Sequence, residues 1–147
     1  MALVLSLDPG GTTGYALWDI ADDGSYIAKV REGQVAGSLK GFLDFHWDVL
    51  EDYPIDKIIC ESFTLREGIY GADLSPVYII GALEALYPTT EIIYQEPKLK
   101  PLVTDMRLMR LEVYEPGKPH RNDAVRHLVI YLRNNKHKGI LELGWRD

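Results

Sequence analysis

Residues 3–19, LVLSLDPGGTTGYALWD, restrict the fold more than any other part of the chain. An apolar run of strand length ends at Asp8, Pro9-Gly10-Gly11 turns the chain, and a second apolar run returns over 13–20. Burying a lone carboxylate costs several kcal/mol unless it is paired or bound to a metal. Asp8 therefore either opens a turn or belongs to a site, and the rest of the chain has to decide between them.

At 147 residues the chain is long enough for one domain, 1–147, with a real core. Residues 26–36 alternate well enough for a third strand after the turn signal ADDGS, so 3–8, 13–20 and 26–36 predict an antiparallel meander. Ser38 is the expected cap of an amphipathic helix that carries Leu39, Phe42, Leu43, Phe45, Val49 and Leu50. DKIICE, 56–61, is a short buried strand that again ends in a carboxylate. A loop with Gly68 and Gly71 follows, then a helix with Ser75 as cap and Pro76 in its first turn. TEIIYQ, 90–95, is the fifth strand, a helix is expected within 99–112, and 120–135 is the last strong helix. The order βββαβαβ with C-terminal helices predicts an α/β fold, a mixed sheet flanked by helices.

Cys60, the single cysteine, sits in the KIIC strand and reads as a small buried hydrophobe. No apolar run approaches the ~20 residues that span a bilayer, and the N-terminus has no signal-peptide pattern. A cytoplasmic protein with no membrane partner is the expectation. The net charge of −6 argues against nucleic acid, but its distribution does not. Residues 1–95 carry a balance of −10, residues 96–138 one of +5, and the last nine residues −1. A basic C-terminal third on an acidic body fits either a localised anion-binding face or a solvated helical surface.

Asp8 and Glu61 end two strands, and Asp123 falls in the first turn of the last strong helix, three residues after His120 on the same face. Each has an ordinary explanation: a turn initiator for Asp8, a loop cap for Glu61, a favourable charge near a helix N-terminus for Asp123, and an N-cap-region residue for His120. Their joint placement points further. If the first and fourth strands are parallel neighbours, Asp8 and Glu61 stand about 5 Å apart and repel by roughly 3 kcal/mol at an effective dielectric near 20. A divalent cation would offset that repulsion, and carboxylate oxygens favour Mg²⁺ or Mn²⁺.

LSLDPGGTTGYAL resembles the first motif of RuvC-type Holliday-junction resolvases, IICESF their second, and HRNDAVRHLV their C-terminal motif, in order and nearly end to end. The chain also resembles the compact RuvC-like resolvases that bacteriophages carry. The resemblance implies an RNase H-like fold, with a five-stranded mixed sheet of order 3-2-1-4-5 and helices on both faces. It also implies a crossover junction endodeoxyribonuclease acting on branched DNA as a homodimer in the cytoplasm of an infected bacterial host. Asp8, Glu61 and Asp123 become ligands of a pair of Mg²⁺ or Mn²⁺ ions, with Asp8 bridging. His120 stands where many relatives have aspartate, as ligand or as base. Two metals about 3.5–4 Å apart serve the attacking and departing oxygens of a phosphodiester, and the expected products carry 5′-phosphate and 3′-hydroxyl ends.

Lys98, Lys100, Arg107, Arg110, Lys118, Arg121 and Arg126 are candidates to track phosphates. Phe63 and Tyr70 are candidates to stack on or wedge between bases. The helix from Ser75 to Tyr87 is apolar over more than one stripe, with Val77, Ile79, Ile80, Leu83 and Leu86, which leaves a surplus for a two-fold dimer. The rival readings are a nuclease of this fold with another substrate (an RNA–DNA hybrid or a replication fork), a catalytically silent binding protein, and a nucleotide-binding module of the actin and sugar-kinase type, whose first phosphate loop DPGGTTG also resembles.

Overall fold

The computed structural model of the chain describes residues 1–64 and 73–145. Five strands, β1 (Ala2–Asp8), β2 (Thr12–Ile20), β3 (Ile27–Ala36), β4 (Lys57–Glu61) and β5 (Glu91–Gln95), form one sheet of order β3-β2-β1-β4-β5. β1, β2 and β3 pair antiparallel as the expected meander, and β4 and β5 add in parallel on the other side of β1. The sheet order is the one the resemblance implied.

The period of two along each strand sorts the core into two layers. Val4, Ala16, Trp18, Ile20 and Ile59 face one side, where α4 (Pro119–Asn134) lays Val125, Leu128, Val129 and Leu132 against them. Leu5, Leu7, Tyr15, Leu17, Ile58 and Cys60 face the other, covered by Phe42 and Phe45 of α1 (Ser38–Asp48) and Ile79 and Leu83 of α2 (Ser75–Leu86). Helices thus cover both faces, and Cys60 is a buried thiol among hydrophobes, its pKa pushed up by burial.

Several local expectations give way. Ser38 does not cap α1: Gly37 does, at φ 96°, and the Ser38 hydroxyl lies 2.8 Å from that of Ser75. Ser75 does not cap α2 either, since it is the first helical residue and its N–H donates to Asp73 Oδ1 at 2.9 Å. The helix expected within 99–112 is split. Pro97 and Pro101 favour a 3-10 stretch, Pro97–Leu102, and Thr104 then caps α3 (Asp105–Arg110) by accepting the Arg107 N–H. α4 is followed by α5 (Lys138–Gly144), which its sequence did not announce. Gly68 and Gly71 lie outside the described residues. Among the described residues no helix is long and apolar enough to cross a membrane.

Candidate active site

β1 and β4 run in parallel with Leu7 opposite Cys60, so the next rung brings Asp8 and Glu61 together at one sheet end. Both point to the α4 face by strand parity, as do Val4, Ser6 and Ile59. Their carboxyls hydrogen-bond to each other and both side chains are buried. Burial comes first in pushing Asp8 up to about 9, followed by the hydrogen bond and the negative charge of Glu61. Burial also works to raise Glu61, yet its contacts with His127, Asp8 and Lys100 hold it down at about 2. Burial and Glu61 thus favour the protonated form of Asp8, while His127, Asp8 and Lys100 favour the charged form of Glu61.

α4 brings Asp123 and His120 to this pair. The Ser6 hydroxyl donates to the Ala124 carbonyl at 2.6 Å, pinning the helix to β1 two residues before Asp8. Gly14, which faces Asp8 across the β1–β2 ladder, lets the first turn of α4 approach the sheet. From β3, opposite Gly14, Gln34 Oε1 accepts the N–H groups of His120 and Arg121 at 2.9 and 3.1 Å. It thereby satisfies helix donors that no local side chain caps. Asp123 sits in the second turn of α4, not the first, because the helix begins at Pro119. A helix-end charge is thus a weaker account of it.

Lys100 lies in the middle. Its ammonium is 3.0 Å from Glu61 Oε1 and 3.3 Å from Asp123 Oδ2. Burial works against that charge, but the hydrogen bond and charge of Glu61, with the charges of Asp8 and Asp123, raise its pKa. Arg126 Nη1 donates to Asp123 Oδ1 at 2.9 Å, its Nε donates to the Val103 carbonyl, and its Nη2 pairs with Asp105. His120 Nδ1 is 3.8 Å from Asp8 Oδ2, with the side chain 46% exposed. The four residues expected to ligate therefore surround one place. Among the described residues, however, no three His, Cys, Asp or Glu side chains stand ready as a metal cage. Asp123 reaches Glu61 only through the Lys100 ammonium. The donor set still fits a hard divalent cation: it is built of carboxylate oxygens, two of them side by side at the ends of adjacent parallel strands, with a lysine as internal counter-charge.

The basic residues divide. Lys98 is exposed and pairs with Glu96 at 2.9 Å, and Lys118 is exposed at the start of α4. Lys100 belongs to the acidic cluster, and Arg126 is taken up by Asp123 and Asp105. One phosphate candidate is corrected. Arg121 is 4% exposed, bound to Glu32, Glu115, Asn122 and the Val113 carbonyl, so it serves the fold. Arg107 donates to the Gly144 and Leu102 carbonyls and stacks 4.8 Å from the Trp145 ring centroid, fastening the C-terminal segment. Phe63 is half-buried and lines a hollow of about 160 Å³ beside Glu61, with Pro9, Pro76 and Pro97. Tyr70 lies outside the described residues.

Sequence reasoning passed over Gln34, Gln95 and His127. Gln95 ends β5 on the rung of Glu61, as Asp8 ends β1, and His127 follows Asp123 by one helical turn. The recurrence of a polar residue at each strand end was the available signal.

No family model matches the sequence, and no curated protein matches it. The fold has close counterparts among solved structures. RuvC of Thermus thermophilus, solved in complex with Holliday junction substrate, superposes with a TM-score of 0.68 at 14% identity, covering 92% of this chain and 97% of that one. The fowlpox virus Holliday junction resolvase gives 0.61 at 14% identity, covering 90% and 99%. Its complex with substrate Holliday junction DNA gives 0.56 at 16% identity. The chain has the RuvC-like resolvase fold.

Proposed function

We propose that this chain is a metal-dependent, structure-selective DNA endonuclease that cuts branched DNA, Holliday junctions in particular, leaving 5′-phosphate and 3′-hydroxyl ends. The observation that carries the reading is the buried contact between Asp8 and Glu61 at the ends of adjacent parallel strands, with a cation already drawn in beside them. A fold gains no stability from burying two carboxyls against each other, and such an arrangement is expected at a functional site. The counterparts' substrates, Holliday junctions, supply the substrate class.

Asp8, Glu61 and Asp123, with His120, are the residues that would hold Mg²⁺ or Mn²⁺. Bound there, a pair of such ions would supply an activated water and stabilise the departing oxygen of the phosphodiester. Arg126 orients Asp123 by holding one of its oxygens. Lys100 neutralises Glu61 and Asp123 while the carboxylates face no other cation, and its flexible stem can turn the ammonium to a phosphate. His120, exposed and beside Asp8, serves as ligand or as acceptor of the water's proton. Lys98 and Lys118 offer charge to the DNA backbone on either side, and Phe63 offers a ring to an unstacked base. On α2, Ile79 and Leu83 are buried against the sheet, whereas Val77 and Tyr78 are exposed. This outer face would pair two copies about a two-fold axis, which places two nicks symmetrically in a four-way junction.

The test is incubation with a synthetic four-way junction, a plain duplex and an RNA–DNA hybrid in Mg²⁺ or Mn²⁺. Paired symmetric nicks confined to the junction are expected. Cutting of the hybrid or of every substrate would reassign the specificity, and no cutting of any of them would end the proposal.

A further inference from the structure

We propose that His127 is a positioning residue for Glu61, braced by Gln95; the inference rests on the nuclease reading of the same site. His127 is fully buried in α4, one turn beyond Asp123. Its Nδ1 lies 2.7 Å from Gln95 Oε1. Its Nε2 is buried without a hydrogen-bond partner among the described residues and stands 3.7 Å from Glu61 Oε2. A polar atom left this way costs about 1–3 kcal/mol, so a position that needed only filler would be better served by leucine.

The surroundings supply the missing bond. Gln95 is the cross-strand partner of Glu61, so α4, β4 and β5 bring His127, Glu61 and Gln95 to one end of the sheet. Turning the Gln95 amide over, which leaves its shape unchanged, puts its nitrogen in the place of Oε1 against Nδ1. With its N–H donating to Nδ1, the Nε2–H is left to donate to Glu61, and a small turn of the Glu61 side chain closes 3.7 Å to hydrogen-bond length. Oε2 is then held from the core side, while Oε1, now on Lys100, faces the other ligands. Carboxylates and imidazoles that ligate metals are commonly fixed from behind by such partners, at a value of about 10–100-fold in affinity.

Two measurements on the full chain test this. Nitrogen-15 NMR of the metal-free protein should find the His127 proton on Nε2; a neutral ring protonated only on Nδ1 overturns the proposal. Mn²⁺ titration followed by electron paramagnetic resonance then compares the wild type with His127→Leu and His127→Gln, whose amide nitrogen can occupy the place of Nε2. The Leu variant should bind Mn²⁺ about 10–100-fold more weakly, with a circular dichroism spectrum like that of the wild type showing that it is folded at the titration temperature. The Gln variant should stay near the wild type. A Leu variant that binds as tightly as the wild type, or a Gln variant that loses as much as Leu, overturns the positioning role. If the ring carries its proton on Nε2 but the wild type neither binds Mn²⁺ nor cuts, the nuclease reading fails while the hydrogen bond to Glu61 stands.

Discussion

A Cβ placed on Gly14 would stand 1.8 Å from the His120 carbonyl oxygen, so the start of α4 rests directly on the backbone of β2. Gly14 faces Asp8 on one side of the ladder and Gln34 on the other. The rung Asp8–Gly14–Gln34 thus carries a catalytic candidate, the gap that admits the helix, and the acceptor that caps it. Gly14→Ala should lift α4, move His120 and Asp123 away from Asp8, and destabilise the protein by about 1–3 kcal/mol, as overpacking does. A thermal melt several degrees lower, with loss of junction cleavage, is the expected result; an unchanged melt would contradict so close an approach.

Asp8→Asn should remove cleavage, leave junction binding largely intact, and stabilise the metal-free protein. Asp8 in the fold holds its proton up to about 9, against an ordinary value of 3.8 in the unfolded chain. Its contribution is fully present below pH 3.8 and is lost as pH rises toward 9, because the unfolded chain ionises freely while the fold resists. The melting temperature of the variant should therefore exceed that of the wild type by a margin that grows across this range. Added Mg²⁺ should raise the melting temperature of the wild type and not of the variant. A variant that still cuts, or whose advantage shrinks as pH rises, would contradict the role given to Asp8.

The strand ends were legible because apolar runs of five or six residues that stop at Asp8 and Glu61 leave little choice of sheet position. Parallel pairing then brings the two acids together without further information. Lys100 was legible only as a charge near the site. Its insertion between Glu61 and Asp123 depends on the 3-10 path that Pro97 and Pro101 favour, at the start of the region where a helix is expected. Arg121 was misread because burial is tertiary. Glu32 comes from β3 and Glu115 from the turn before α4, and no local pattern announces their meeting. The caps failed for a similar reason: Ser38 and Ser75 lie near helix starts, but their hydroxyls face each other across α1 and α2.

Gln34→Ala should fray the first turn of α4. Its carbonyl oxygen accepts two N–H groups, and losing a cap costs about 0.5–2 kcal/mol. Hydrogen exchange at His120 and Arg121 should accelerate more than at Leu128. Cleavage should fall with less loss of Mn²⁺ affinity than in Asp123→Asn, since Asp123 is also tied by Arg126 and Lys100. Equal exchange rates in the two proteins would show that Gln34 is not the cap.

Acid should weaken the fold through two histidines remote from the site. Burial lowers the pKa of both His46 and His137. His46 lies against Tyr87, whose hydroxyl is 3.2 Å from its Nδ1. Both rings are neutral in the fold and charge more readily in the unfolded chain. Their contribution is present above the ordinary value of 6.5 and is lost as pH falls below it. His46→Gln should flatten the decline in melting temperature below that pH. An unaltered slope would place the acid sensitivity elsewhere.

The two kinds of basic residue should separate in one salt titration. Lys98 and Lys118 are exposed, so Lys98→Ala and Lys118→Ala should each weaken junction binding, reduce the salt dependence by about one counterion, and leave the melt unchanged. Arg121 is buried against Glu32, whose pKa burial pushes up and the charge of Arg121 pulls back. Arg121→Met strands that carboxylate and should cost about 3–5 kcal/mol of stability. Because Arg121 touches no solvent-facing path to a phosphate, the salt slope of whatever protein remains folded should match the wild type. A reduced slope in Arg121→Met with an intact melt would return this residue to the DNA-binding face and take it from the fold.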